Sequence, residues 1–333
     1  MKRVEFEEIG NTEVLRLVER EIPFPNKDEV VVKIKVAGLN RAEELFFKGQ
    51  YLFQPKSPSL LGLEASGIIE ETGGNVSNFV KGDEVCLTPN INPTEYGFLG
   101  EYIVAPVKAV IKKPINLSFQ ESASVWMTYG TAFAALVIKG GLTKKSRQTV
   151  LISAASSGVG VAAIQMAKSY GAKVIATTRT SLKKQFLRQQ GADLVIATEE
   201  ENFTELVNNF TLEKGFDIAI DAIADTNFFE ELIEVAGFEA TIVVYGALAL
   251  NPTPAFPLFP LLIKGINIVG LHYVFQTLEI ESRFKQMKDD VLRGIETNEY
   301  KPIVDKNFKL KDIKKAYNYM ASNQQKGKIV IDF

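Results

Sequence analysis

The residues of this chain best suited to chemistry lie in a turn of small side chains, Ala155-Ser156-Ser157-Gly158-Val159-Gly160, and in two cations beyond it, Arg179 and Lys183. Small side chains let a ligand approach the backbone. At the start of a helix the first N–H groups have no partners within it, and the macrodipole adds partial positive charge there. A diphosphate satisfies both needs. The flanking residues fit such a site. Thr149-Val150-Leu151-Ile152 reads as a buried strand, Val161 to Tyr170 as a helix of small and apolar residues, and Lys173 to Thr178, after Gly171, as a second strand. Strand, turn, helix and strand within about thirty residues make the βαβ unit that binds dinucleotides. The turn departs from Gly-x-Gly-x-x-Gly: Ala155 and Ser157 stand at the first two glycine positions, and only Gly160 matches. An ordinary βαβ turn without a ligand is the plain alternative, and the strands and helix around the turn favour the nucleotide.

The end of the second strand says which nucleotide. A site for NAD places an Asp or Glu there, about twenty residues past the turn, to hold the ribose 2′-hydroxyl. Here the position reads Thr178-Arg179-Thr180, with Lys183 one helical turn beyond. A carboxylate would repel a 2′-phosphate, whereas a guanidinium binds one bidentately. A solvated loop cation is the bland reading of Arg179; its position favours NADPH as the cofactor.

The elements that must hold these groups follow from the rest of the chain. Its 333 residues allow two domains, and 46% apolar with 23% charged residues is ordinary for a soluble protein. A net charge of −2 leaves no basic footprint, so nucleic acid is not expected as the main partner. No signal-peptide core opens the sequence, and no run approaches the roughly eighteen apolar residues of a membrane span. A cytoplasmic location without membrane attachment is the expectation. One cysteine, Cys86, and one histidine, His272, exclude an internal disulfide and a zinc site built from three or four Cys and His ligands. A serine or cysteine triad would have only His272 as its base. Coming straight after an apolar run, His272 reads as a packing or hydrogen-bonding residue.

Residues before Phe119 read as β-rich. Val30, Val32, Ile34 and Val36 suggest a half-buried strand, and further short strands fit 65–71, 83–87 and 100–105. From Thr149, apolar strands at 149–154, 173–178, 193–197, 216–221, 240–245 and 266–271 alternate with helices. The fold class is therefore α/β, a doubly wound parallel sheet beside a β-rich domain. Amphipathic helices are expected over 282–293 and 310–320, then a last strand from Lys328. The Pro-rich run Pro252–Pro260 reads as a rigid connection. If the chain leaves the sheet near Leu271 and returns to the first domain, the division is 1–122 with 272–333, against 123–271. The ligand is then expected in the cleft between the domains.

Several further stretches appear in one family's order: Val36-Ala37-Gly38-Leu39-Asn40, Gly49-Gln50-Tyr51, Leu61-Gly62-Leu63-Glu64-Ala65-Ser66-Gly67, Val80-Lys81-Gly82-Asp83-Glu84-Val85, Tyr129-Gly130-Thr131-Ala132 and Gly327-Lys328-Ile329-Val330. With the nucleotide turn they make the chain similar to the medium-chain dehydrogenase/reductases, and within them to the zinc-independent, zeta-crystallin-like quinone oxidoreductases. The resemblance implies a GroES-like catalytic domain beside a Rossmann NADPH-binding domain. Asn40 stands where the zinc enzymes of the superfamily carry a cysteine. Gly62-Leu63-Glu64 stands where they carry Gly-His-Glu, and the short loop 89–97 stands in place of their four-cysteine lobe. No metal is expected, and Glu64 is expected to be structural.

Without a Lewis acid, a hydride needs a carbon made electrophilic by conjugation, so quinones and α,β-unsaturated carbonyls are the expected substrates. The resemblance places Asn40 and Tyr51 beside the nicotinamide. Tyr51 would donate a hydrogen bond or proton to the substrate oxygen, although a buried aromatic role is the alternative, and a turn role is the alternative for Asn40. It also places Thr131 at the nicotinamide end, Ser157, Gly158, Val159 and Gly160 along the pyrophosphate, and Gly246 near the nicotinamide ribose. Thr178, Arg179 and Lys183 would hold the 2′-phosphate, with Ser156 as a further contact. A homodimer through a sheet edge is implied, with the apolar segment Phe256–Val269 one source of that edge and burial within the monomer the other account of it. An NADPH-dependent enoyl-thioester or alkenal reductase and a non-catalytic NADPH-binding protein are the competing functions.

Overall fold

The computed structural model describes residues 1–145, 147–249 and 257–333. They form two compact units, Met1–Met127 with Pro302–Phe333, and Thr128–Lys301.

The first unit begins with β1 (Lys2–Phe6), β2 (Arg16–Glu19), β3 (Glu29–Gly38), α1 (Arg41–Phe47), β4 (Ser59–Leu60), β5 (Glu64–Thr72), β6 (Glu84–Leu87), β7 (Tyr102–Pro106) and β8 (Val110–Lys112). The long strand β3 organises it. Antiparallel pairing runs from Val30↔Thr72 to Gly38↔Glu64 with β5, and from Glu29↔Pro106 to Lys33↔Tyr102 with β7. Gly38 is needed where β3 meets a neighbouring backbone: a Cβ there would lie 2.1 Å from the carbonyl oxygen of Ala123. The α1 helix is an element that the β-rich reading of the residues before Phe119 does not place. It is short, with charged residues early in its sequence, and is held by tertiary packing of its two phenylalanines. The Phe46 ring meets Phe6 edge-on at 5.7 Å, and Phe47 meets Tyr317 at 5.2 Å.

The second unit contains α2 (Thr128–Phe133), β9 (Thr149–Ile152), α3 (Gly158–Ser169), β10 (Lys173–Thr178), α4 (Lys184–Gln189), β11 (Leu194–Ala197), α5 (Phe203–Thr211), β12 (Phe216–Asp221), α6 (Thr226–Glu234), β13 (Ala236–Val244), α7 (Leu258–Lys264), β14 (Asn267–Gly270) and α8 (Glu281–Glu296). Its strands pair in parallel in the order β11-β10-β9-β12-β13-β14. All six expected strands are present. They are short apolar runs because helices cover the sheet: Leu151, Ile175, Ile196, Ala219 and Ile242 belong to one buried cluster. The run Pro252–Pro260 and the segment Phe256–Val269 lie partly outside the described residues.

The chain then adds β15 (Val304–Lys309), α9 (Ile313–Ala321) and β16 (Lys328–Asp332) to the first unit. Strand β16 pairs parallel with β15 and antiparallel with β3, through Val330↔Gly38, Ile331↔Ala37 and Asp332↔Val36. The return comes at Pro302, not after Leu271 as the sequence suggests, and residues 272–301 stay with the parallel sheet. Side chains from α8 and beyond explain this. The Tyr300 ring stacks on Tyr129 at 5.2 Å, and Asp290 accepts from the hydroxyls of Tyr170 (2.9 Å) and Tyr300 (2.8 Å). The Lys301 N–H donates to Gln165 Oε1 at 2.9 Å.

Candidate functional site

The turn after β9 begins with a strained residue. Ala154 has φ of 46°, a left-handed conformation uncommon for a side chain with a Cβ. Ser157 then caps α3, its Oγ accepting from the Gly160 N–H at 3.1 Å. A Cβ on Gly160 would lie 2.5 Å from the backbone of Ala155, so glycine lets the helix start close against the turn. The N–H groups of Gly158 and Val159 have no acceptor among the described residues. An anion is the complement of two such donors at the positive end of a helix. These residues fit the diphosphate of a dinucleotide.

At the end of β10, Thr178 is buried and Arg179 is exposed. Among the described residues Arg179 forms no ion pair. Lys183 reaches back to the turn, where its Nζ donates to Ser156 Oγ at 3.1 Å. Lys183 and the Ser156 hydroxyl therefore meet beside the turn, Arg179 follows β10 directly, and the sequence position where an NAD site carries its carboxylate holds none.

The carboxyl end of β12 carries a group whose role the sequence did not announce. Asp221, fully buried at the end of β12, accepts from Ser153 Oγ at 2.5 Å and from the amides of Ile223 and Ala224 at 3.1 and 2.8 Å. It thereby fixes the loop after β12. Gly246 packs against that loop, since a Cβ there would lie 2.9 Å from the Ala222 oxygen. Thr131 is buried on α2. His272 follows β14; its Nδ1 accepts from the Phe275 N–H at 3.4 Å and its ring stacks on Phe275 at 4.3 Å. Burial holds its pKa below the ordinary histidine value. This is the packing and hydrogen-bonding residue its sequence position suggests.

In the first unit, Asn40 lies at the N-terminus of α1 and is 8% exposed. Its Nδ2 donates to the Gly38 oxygen at 3.0 Å and to Glu43 Oε1 at 3.3 Å, and its Oδ1 accepts from Lys328 Nζ at 2.5 Å. Both amide protons are committed, which leaves one lone pair for any ligand. Lys328 also forms an ion pair with Glu64, and Glu64 Oε2 accepts from the Met127 N–H at 3.1 Å. Glu43 in turn accepts from Tyr317 at 2.7 Å and from the Leu63 N–H at 2.9 Å. Burial pushes the Glu43 carboxyl above the ordinary glutamate pKa, against the pull of Tyr317 and Lys328. Glu64 is thus structural, as expected of it, and Lys328 is the cation that compensates this cluster. Its identity as a buried partner was hidden because nothing in Gly327-Lys328-Ile329-Val330 distinguishes an inward lysine from a strand-end one.

Tyr51 follows α1 and is half-buried, its ring 6.1 Å from Phe53. Burial raises its pKa, and its hydroxyl has no hydrogen-bond partner among the described residues. It is a protonated donor. No group of three or more His, Cys, Asp or Glu side chains among the described residues is placed to hold a metal ion.

Two family models match the chain: the alcohol dehydrogenase GroES-like domain over residues 26–115 and the zinc-binding dehydrogenase over 158–291. The quinone oxidoreductase of Pongo abelii is 30% identical over 335 residues, covering 99% of this chain and 97% of that protein. Among solved structures, Escherichia coli quinone oxidoreductase complexed with NADPH superposes with a TM-score of 0.90 at 24% identity, covering 100% of both chains. The CurK enoyl reductase superposes at 0.87 with 22% identity, covering 99% of this chain and 98% of that one. The chain belongs to the zeta-crystallin-like quinone oxidoreductase family of the medium-chain dehydrogenase/reductases, and it is an oxidoreductase that uses a nicotinamide cofactor.

Proposed function

We propose that the protein is a zinc-independent NADPH:quinone oxidoreductase, reducing a quinone or a related conjugated carbonyl. The observation that carries the cofactor assignment is the pair of cations past β10, with exposed Arg179 and with Lys183 bonded to Ser156. NADPH supplies the hydride when bound. The chain's own residues do the rest. Ser157, Gly158, Val159 and Gly160 hold the diphosphate at the start of α3, and Thr178, Arg179, Lys183 and Ser156 hold the 2′-phosphate. Thr131 and Gly246 shape the nicotinamide end. Asn40 contributes its remaining lone pair and keeps the start of α1 in place. With no cluster of metal ligands among the described residues, a conjugated substrate that is already electrophilic fits the site, and Tyr51 donates a hydrogen bond to the oxygen on which charge develops. Such a donor is worth on the order of 3 kcal/mol, or about a hundredfold in rate.

A second reading, reduction of an enoyl thioester or alkenal on the same scaffold, draws on the unpartnered Tyr51 hydroxyl, since an enolate needs a proton donor more than a quinone does. NADPH consumption by chelator-treated protein, with an ortho-quinone and a short enoyl thioester side by side, separates the two. Turnover of the quinone supports the first reading. Thioester turnover with an idle quinone supports the second, and cofactor binding with neither supports a non-catalytic binding protein. Tyr51→Phe should cost about tenfold to a hundredfold on the thioester and less on the quinone; equal losses would remove the distinction.

Helix α7 exposes Leu258, Phe259, Leu262 and Ile263 next to β14, the strand at the end of the parallel sheet. An open strand edge beside apolar residues invites a second copy. A homodimer through β14 is the reading this surface supports, and light scattering of the intact chain tests it.

A further inference from the structure

Tyr245 stands between the end of β13 and Gly246, and its N–H donates to the Asp221 oxygen at 2.9 Å. Its hydroxyl oxygen is buried and has no hydrogen-bond partner among the described residues. A buried hydroxyl without a partner has lost its water for nothing, and native structures rarely tolerate that without a reason. Its surroundings supply one. Ser157, the cap of α3, lies beside it, and so does the Asp221 carboxylate, whose oxygens are already engaged by Ser153 and by two loop amides. Ser157 Oγ is occupied with Gly160, and it approaches the phenol without completing a hydrogen bond. Burial, reinforced by the charge on Asp221 and opposed by the Ser157 hydroxyl, raises the phenol pKa, so the proton stays on. A fixed O–H donor therefore sits at the same end of α3 as the unpaired amides of Gly158 and Val159.

We propose that Tyr245 is a cofactor-binding residue, its hydroxyl donating a hydrogen bond to the diphosphate of the dinucleotide held at the start of α3. The proposal rests on the nucleotide reading of that turn. A phosphoryl oxygen is an acceptor only and carries charge, which makes it the complement of donors that have no acceptor of their own. Phenylalanine would fill the space of the ring equally well, so the hydroxyl is the group under test.

Titration calorimetry of wild type and Tyr245→Phe with three ligands decides it: NADPH, 2′-phospho-ADP-ribose, which keeps the diphosphate but lacks nicotinamide, and 2′,5′-ADP, which lacks the diphosphate. The substitution should weaken the first two by the same factor, about tenfold, and leave the third unchanged. The Tm of the ligand-free protein should stay the same or rise, because an unsatisfied polar group has been removed. Tyr245→Met, which also deletes the hydroxyl, should repeat the ligand pattern. Unchanged affinities with a lowered ligand-free Tm would make the hydroxyl purely structural and overturn the proposal. A loss confined to NADPH would overturn the diphosphate assignment. Wild type that binds neither diphosphate ligand would overturn the nucleotide reading itself.

Discussion

Lys328 is the residue whose removal the structure predicts most sharply. It is 5% exposed, pairs with Glu64 at 1% exposure, and supplies the bond to Asn40 Oδ1. Replacing it with methionine keeps the apolar stem and deletes the charge. Glu64 is then a buried carboxylate without compensation, which costs about 3–5 kcal/mol. Asn40 Oδ1 loses its donor as well, about 1–3 kcal/mol alone, but the two losses share one ammonium and do not add. A total of about 3–5 kcal/mol is large against the roughly 5–15 kcal/mol that holds a domain together. Trp126 is the only tryptophan of the chain, is fully buried, and belongs to the first unit, so its emission reports on the unit that contains Lys328. With a urea slope of about 1–3 kcal/mol per molar, the midpoint of the Trp126 transition should fall by about 1–5 M. The double variant Glu64→Leu with Lys328→Met removes both charges and should recover most of that loss. A midpoint within about 0.3 M of wild type in the single variant, or a double variant less stable than the single, would refute this account of the cluster.

Arg179→Asp places a carboxylate where the 2′-phosphate is expected, and should weaken NADPH by about tenfold to a hundredfold, the worth of a charge-assisted hydrogen bond, while sparing NADH; an intact preference for NADPH would remove Arg179 from the site. Glu43 offers a pH test. Its folded pKa is raised, so the folded state holds its proton more tightly, and the resulting stability is present at low pH and lost as pH rises through the folded pKa. Glu43→Gln should flatten that part of the Trp126 stability profile; an unchanged slope would mean the carboxyl does not titrate in the folded state. Cys86 is buried and its thiol is pushed up to about 12, so thiol reagents at about pH 8 should label it only after unfolding. Rapid labelling of the folded protein would contradict its placement in the core.

Much of the second unit is legible in the sequence because its strands are covered on both faces and are therefore nearly pure apolar runs. Leu151, Ile175 and Ala219 need no partner information to be recognised as interior. The turn at 155–160 is legible for a related reason: only small residues fit against Ala155, and Gly160 records that directly. What the sequence conceals is long-range pairing. Asn40 reads as a turn residue or a ligand contact, yet its partners are Glu43 on the next helical turn and Lys328, 288 positions away. Helix α1 is concealed in the sequence because its apolar content is concentrated in Leu45, Phe46 and Phe47, and because the contact that fixes Phe47 comes from Tyr317. The return of the chain at Pro302 was likewise hidden, since the contacts that keep α8 with the parallel sheet are made by tyrosine hydroxyls and a single carboxylate, Asp290.

The pairing of β16 with β3 has a consequence for how the protein is made. The second unit is one continuous stretch, Thr128–Lys301, whereas the first unit needs Lys328–Asp332 to complete its sheet. During translation at about 5–20 residues per second, the ribosome delivers every residue of the second unit before the strand that completes the first. Until then Val36, Ala37 and Gly38 present an open strand edge, and Glu43 and Glu64 face each other's surroundings without the ammonium that compensates them. The segment synthesised first is therefore the last to reach its native state, and in the interval it is the part of the nascent chain most in need of a chaperone.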